Sequence, residues 1–167
     1  SMSGGQYGVP IVFRGPTASA GMLSSQHSQA FESWYANCPG LKVIVPSNPK
    51  DAKGLLKAAI RDDDPVIFME SEQMYGDKGE VPEGEYLMPI GVADIKRAGN
   101  DVTIVSFGKI IKTAYKAAEE LAKENIDVEL NENIVFITST ADFYFYANPK
   151  NYWYPEEYTF QDIMDDK

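Results

Sequence analysis

Three consecutive carboxylates close a helix-like segment in Ala59-Ile60-Arg61-Asp62-Asp63-Asp64-Pro65. A helix ends in unpaired carbonyls that carry a partial negative charge, so exposed acids there oppose the dipole by about 0.3–1 kcal/mol each. A bound cation would relieve the conflict by taking carbonyls of the last turn together with an acidic oxygen, all hard ligands suited to alkali or alkaline-earth ions. A solvated acidic turn, with Arg61 as partial counter-charge, is the plainer alternative. His27, the single histidine, stands in Gln26-His27-Ser28-Gln29. An imidazole there can move a proton or donate to an anion, and it can equally be a polar residue that opens a helix. Glu70 and Glu72 fall on one face at the end of an apolar run. That spacing permits paired-carboxylate chemistry, though acids in such places usually solvate a loop.

Other motifs stop short of a mechanism. The small-residue loop 15–21 could approach a phosphate, but it has neither the dinucleotide fingerprint nor the P-loop lysine. Gly76-Asp77-Lys78-Gly79 opens like a thiamine-diphosphate magnesium motif without the paired Asn downstream, and it reads as a turn. Cys38, the only cysteine, has no partner for an internal disulfide or a cysteine zinc site. Beside Pro39 it is expected to pack on the helix before it.

The elements that would position these groups alternate. Residues 9–14 are a short β-branched run, and helical spacing follows with Phe31, Trp34 and Tyr35 on one stripe before Pro39-Gly40. Residues 41–46 read as a strand. Ser47-Asn48-Pro49 then caps a helix with Ala52, Leu55, Leu56, Ala59 and Ile60 on one face. After a strand at 65–71, a polar stretch bearing Gly and Pro runs from 75 to 86 and on toward Asn100 as a linker. A strand at 101–108, a helix at 109–125 and a strand at 126–130 complete a pattern that implies an α/β fold with an open, mostly parallel sheet. In the tail, 134–138 and 143–146 could be further strands.

The chain has 167 residues, 44% of them hydrophobic, and a formal net charge of −10. Such acidity argues against nucleic acid or an anionic membrane as partner. No apolar run approaches the roughly 18–20 residues of a membrane helix. The single cysteine suits a reducing compartment, the cytosol or a mitochondrial matrix. The averages hide a split: ten aromatic residues lie in 131–167 alone, a segment that also carries half of the net charge. Aromatics so dense are expected to pack on the preceding sheet or on another copy of the chain.

Taken together in their order and spacing, Val9-Pro-Ile-Val-Phe-Arg-Gly-Pro16, Gln26-His-Ser-Gln29, Cys38-Pro-Gly-Leu-Lys-Val43, Asp51-Ala-Lys-Gly-Leu55, Ala59-Ile-Arg-Asp62 and Met74-Tyr-Gly76 closely resemble the beta subunit of the decarboxylating component of the bacterial-type pyruvate dehydrogenase complex. The resemblance covers about residues 6–130. It implies a partial pyrimidine-binding domain of a thiamine-diphosphate enzyme at 1–88. A linker and the first β-α-β of a transketolase C-terminal-like domain follow at 89–130, and 131–167 is an aromatic, acidic tail of no recognised family.

The function so implied is oxidative decarboxylation of pyruvate, with acetyl transfer to the lipoyl group of a transacetylase core, in an alpha/beta heterotetramer. His27 matches the histidine beside the cofactor that helps the acyl transfer. Ile11, Ala59, Ile60, Asp62 and Asp64 match the residues around a structural potassium ion, with Asp64 where many relatives have Asn. Diphosphate and magnesium belong to the alpha subunit by the same resemblance. The family glutamate that activates the aminopyrimidine lies upstream of Gly4, so the chain alone is expected to be inactive. Two alternatives stand beside this reading: a non-catalytic, self-associating α/β module, and the beta subunit of a branched-chain 2-oxoacid dehydrogenase.

Overall fold

The computed structural model describes residues 6–17, 24–132 and 136–137, with the backbone alone at 26, 136 and 137. The proposed strand at 143–146 and most of the aromatic tail lie outside the described residues.

Strands β1 (Val12–Thr17), β2 (Lys42–Ile44) and β3 (Val66–Ser71) are the apolar runs of the first half of the chain. β1 and β2 both pair in parallel with β3, which therefore lies between them. Parallel neighbours need long crossovers, and α1 (Glu32–Ala36) and α2 (Pro49–Ile60) lie on the connecting segments. The order of this sheet is β1-β3-β2-β7, where β7 (Phe136–Ile137) runs antiparallel to β2. β7 thus falls within the run expected at 134–138.

Both faces of β3 are covered, which explains its unbroken apolar sequence. On one side Val66, Phe68 and Ile44 pack with Leu55 and Ala59 of α2 and with Met88. On the other, Ile67, Met69, Val43 and Val45 pack with Ala36 of α1. Full burial of a side chain such as Phe68 or Leu55 contributes roughly 1.5–3 kcal/mol.

α1 departs from the sequence expectation. It has only five residues, and its buried positions are Glu32 and Ala36, one turn apart. Trp34 is 70% exposed, and Tyr35 is exposed as well. Phe31, just ahead of the helix, is half-buried and meets the Trp34 ring edge to face at 5.4 Å. One turn and a half of helix presents one narrow face to the sheet, and the sheet takes the small residue.

The second half forms a separate three-stranded sheet of order β4-β6-β5. β5 (Val102–Val105), α3 (Ile111–Lys123) and β6 (Val128–Glu132) make the expected β-α-β unit, with β5 and β6 parallel. β4 (Asp94–Arg97) is antiparallel to β6 and lies in what the sequence presents as linker.

The rest of that linker is strapped onto α2. Lys53 donates to the Pro82 carbonyl, while Lys57 and Arg61 both pair with Glu85. Tyr86 and Met88 lie over Gly54 so closely that an added Cβ would stand 2.7 Å from the Tyr86 ring and 2.9 Å from Met88 Cβ. Alanine normally gains about 0.5–1 kcal/mol over glycine inside a helix, but overpacking costs about 1–3. Gly54→Ala is therefore expected to destabilise the chain, by on the order of 1 kcal/mol, read as a lowered urea midpoint at unchanged slope. A raised midpoint would show that the strap is loosely held.

Candidate functional site at the carboxyl edge of the parallel sheet

Because β1, β3 and β2 run in parallel, their carboxyl ends share one edge, which is where open α/β sheets place ligands. There Pro16 stands opposite Glu70 and Thr17 opposite Ser71. After β2 the chain turns through Pro46, Ser47 and Asn48 into α2. Asn48 is the N-cap: its side-chain oxygen accepts from the Asp51 backbone N–H at 2.9 Å, and its amide donates to the Asp51 carboxylate at 2.6 Å. This reciprocal pairing fixes the first turn of the helix.

A cleft of about 220 Å³ opens at this edge, lined by Arg14, Asn48, Glu70, Ser71, Met74 and Tyr75 among others. Arg14 donates to both oxygens of Glu70, and the Tyr75 hydroxyl donates to Glu70 at 3.2 Å. The bond to Glu70 raises the Arg14 pKa. Burial, then the Glu70 charge, raises that of the Tyr75 hydroxyl. The Glu70 carboxylate is thereby held as a fixed acceptor, in a lining whose apolar part is Pro46, Pro49, Ala52 and Met74. Ser71 Oγ and Thr17 Oγ1 are buried and have no hydrogen-bond partner among the described residues. Apolar walls with a few oriented polar groups suit a small planar heterocycle.

His27 ends a 3-10 turn, Ser25–His27, and is exposed. Its Nδ1 lies 3.8 Å from Glu72, two residues beyond Glu70. The structure thus separates the two glutamates of the sequence pair: Glu70 turns to Arg14, and Glu72 to His27. Gly76 and Asp77 follow as a turn, and Asp77 pairs with Lys112. Cys38 is exposed, with Sγ 3.5 Å from the Trp34 carbonyl.

The acidic turn lies at the opposite, amino edge. Val9 donates to the Asp63 carbonyl at 3.0 Å and Val66 to the Ile11 carbonyl at 2.9 Å, so residues 9–11 run beside residues 63–66 at the end of the acidic turn. The main counter-charge, however, is a residue that sequence reading missed. Lys42 Nζ sits 2.8 Å from Asp62 and 2.9 Å from Asp64. Arg61 is spent on Glu85. Burial lowers the Lys42 pKa, but the bonds to Asp62 and Asp64 outweigh it and the net shift is upward. Among the described residues, no group of three or more His, Cys, Asp or Glu is arranged to hold a metal ion.

Two family models match parts of the chain. The transketolase pyrimidine-binding domain matches residues 1–78, and the transketolase C-terminal domain matches residues 91–135. The chain carries transketolase-type pyrimidine-binding and C-terminal domain sequence. Among curated relatives, the pyruvate dehydrogenase E1 component subunit beta of Rhizobium meliloti (strain 1021) is 55% identical over 130 residues, 77% of this chain and 28% of that protein. The mitochondrial E1 subunit beta-1 of Arabidopsis thaliana is 53% identical over 133 residues, 77% of this chain and 37% of the relative. That of Drosophila melanogaster is 50% identical over 133 residues, 77% and 36%. The chain thus spans about a third of the length of these relatives. A solved split-gene transketolase, described as an inactive beta4 tetramer, superposes with a TM-score of 0.61 at 22% identity, covering 75% of this chain and 40% of the other, and shares the fold.

The transketolase-type half of the chain therefore depends on Lys42 at one edge. Lys42→Met leaves two carboxylates without their shared partner and is expected to cost about 2 kcal/mol near neutral pH. With the folded-state pKa raised, the Lys42 contribution is complete below the unfolded value of 10.5 and is lost as pH rises through the folded value. The stability gap between wild type and Lys42→Met, read by urea melts, should therefore be constant to about pH 10 and narrow above it.

Proposed function

We propose that this chain supplies the beta-subunit share of a thiamine-diphosphate-dependent, pyruvate-decarboxylating centre that passes the acetyl group to a lipoyl arm. The observation that carries the reading is the cleft at the carboxyl edge, whose lining residue Ser71 is followed in the chain by Glu72 with His27 3.8 Å from it, in a chain that matches the pyrimidine-binding domain model over residues 1–78. Thiamine diphosphate, when bound, supplies the electron sink that lets the carboxylate leave as CO2. The residues of this chain then act around it. Met74 and the proline-lined wall exclude water, and Asn48, Glu70 and Ser71 offer the acceptors and donors that an aminopyrimidine needs. His27 supplies the proton taken by one lipoyl sulfur as the disulfide opens and the other sulfur takes the acetyl group. Glu72 holds the imidazole toward the rim.

The partners of this reading are an alpha subunit, which holds the diphosphate and magnesium, and a dihydrolipoyl transacetylase core. The compartment is the bacterial cytoplasm or the mitochondrial matrix. Phe13, exposed on edge strand β1, and Trp34, exposed on α1, support a second reading in which the chain also self-associates.

A potassium ion at the amino-edge turn is part of the same proposal. Ile11, Ala59 and Ile60 would hold it by main-chain carbonyls, with Asp62 and Asp64 adding charge. Since Lys42 already answers both carboxylates, the carbonyls are the principal ligands, and the ion's role is structural.

In an alpha/beta assembly whose beta subunit joins this chain to an upstream segment bearing the aminopyrimidine-activating glutamate that the resemblance implies, His27→Ala should lower acetylation of a lipoyl domain by on the order of 10²–10³. CO2 release from pyruvate to an artificial electron acceptor should stay near wild type. Loss of both together, or no CO2 release by the wild-type assembly, overturns the assignment. Saturating K⁺ should raise the melting temperature over tetramethylammonium at equal ionic strength, by the equivalent of about 2–3 kcal/mol at a hundredfold excess over the dissociation constant. An unchanged melting temperature returns the turn to solvent.

A further inference from the structure

Three carboxyl groups and one ammonium meet where the two halves of the chain touch. Asp51, at the start of α2, is wholly buried. Lys96 on β4 donates to it at 2.9 Å and to Asp94 at 2.7 Å. Glu132, at the end of β6 and 1% exposed, brings Oε2 to 3.6 Å from the same ammonium, while its Oε1 has no hydrogen-bond partner among the described residues. Tyr115 of α3 feels the charges of this cluster from the remaining side. The groups facing Glu132 are thus Asp51 from α2, Asp94 and Lys96 from β4, and Tyr115 from α3. Among the described residues one ammonium faces three carboxyl groups, of which Asp51 and Glu132 are buried and Asp94 is partly exposed, and a proton on a buried one is a further source of positive charge.

The cluster also has a mechanical position. Asp51 is the residue that Asn48 clasps in the helix cap, and Asn48 lines the cleft. Lys96 therefore ties the second sheet to the turn that walls the candidate site. The junction also has an apolar, close contact: Phe107 packs against the cluster that includes Val43 and Val45, and an added Cβ on Gly108 would reach Val45 at 3.0 Å.

We propose that the proton on Glu132 controls how firmly the β4-β6-β5 sheet docks on the start of α2, making the junction a pH-sensitive latch on the cleft wall. With the proton on, Asp51 and Asp94 have Lys96 to themselves and the junction is closed. With it off, a buried charge lacking a full partner favours parting of the two halves and hydration of Glu132.

Burial, opposed by Lys96, raises the Glu132 pKa to about 7. A carboxyl raised in the docked state stabilises that state below its ordinary pKa of 4.5 and loses the contribution as pH rises through about 7. The docked state of the Lys96 amine is favoured at every pH below 10.5, so Lys96 itself is no switch in this window.

The test uses the full 167-residue chain. Hydrogen-exchange protection factors, corrected for the intrinsic pH dependence, are measured at pH 6 and pH 8 for the first turn of α2 and for β4. Protection at both should fall about tenfold from pH 6 to pH 8 in the wild type. It should stay level in Glu132→Gln, where the neutral side chain mimics the protonated one, and be low at both pH values in Lys96→Met. Carbon-13 titration of the wild-type Glu132 carboxyl gives a check that needs no variant, with an expected midpoint near 7. A midpoint near 4.5, level wild-type protection, or a pH dependence that survives in Glu132→Gln overturns the proposal.

Discussion

Parallel pairing of β1 and β2 on the central strand β3 is the constraint from which the rest of the first half follows. Parallel neighbours cannot be joined by a hairpin, so each connection must travel back across a face of the sheet. That return requires covering segments on both faces, which is why β3 is apolar on both and why Phe68 and Ile67 enter different cores. It also sorts the chain by edge. The residues that end or follow a strand, namely Thr17, Asn48, Glu70 and Ser71, gather at one end. Those that begin or precede one, namely Ile11, Lys42 and the Asp62–Asp64 turn, gather at the other. β3 has six residues, so the two ends stand about 20 Å apart. The residues proposed for a potassium ion and the cleft are consequently separate, and an ion at the turn would act on the sheet and not on the chemistry.

Sequence patterning exposed the parts of this scheme that depend on local periodicity. α2 was legible because its cap, its proline at the first position and its apolar face all agree, and the β5-α3-β6 unit because a β-branched run is followed by a long amphipathic helix. β4 was not, since Asp94-Ile95-Lys96-Arg97 has little strand character. It becomes a strand because β6 offers an unpaired side and Asp51 offers an anchor for Lys96. α1 misled for the opposite reason, as its aromatic spacing is helical but the helix is too short to bury it.

The candidate site divides along the same line. His27 and the acidic turn stood out by residue type alone. Arg14 with Glu70, and Lys42 with Asp62, did not, because each pair joins residues 56 or 20 positions apart whose approach is set by strand register. A lysine opening an otherwise apolar strand and an arginine closing the run 9–14 were the available signals. A charged residue next to a buried run implies a partner beyond it, but not which one.

Charge balance gives the last step. In a chain with 25 acids and 15 bases, cations are the scarce resource, and the structure spends them between elements. Lys57 and Arg61 share Glu85 on the strap, and Lys112 reaches Asp77 from α3. Those exposed pairs contribute little individually, about 0–1 kcal/mol each. Lys42 and Lys96 differ because each is largely shielded from water and each serves more than one acid. Lys42 meets two carboxylates, within what one ammonium can satisfy with its three N–H groups. Lys96 meets three, one of them buried with an oxygen left over. The surplus of acid that the composition announces is thus distributed mostly into solvent, and at the junction of the two sheets part of it is left inside around a single ammonium.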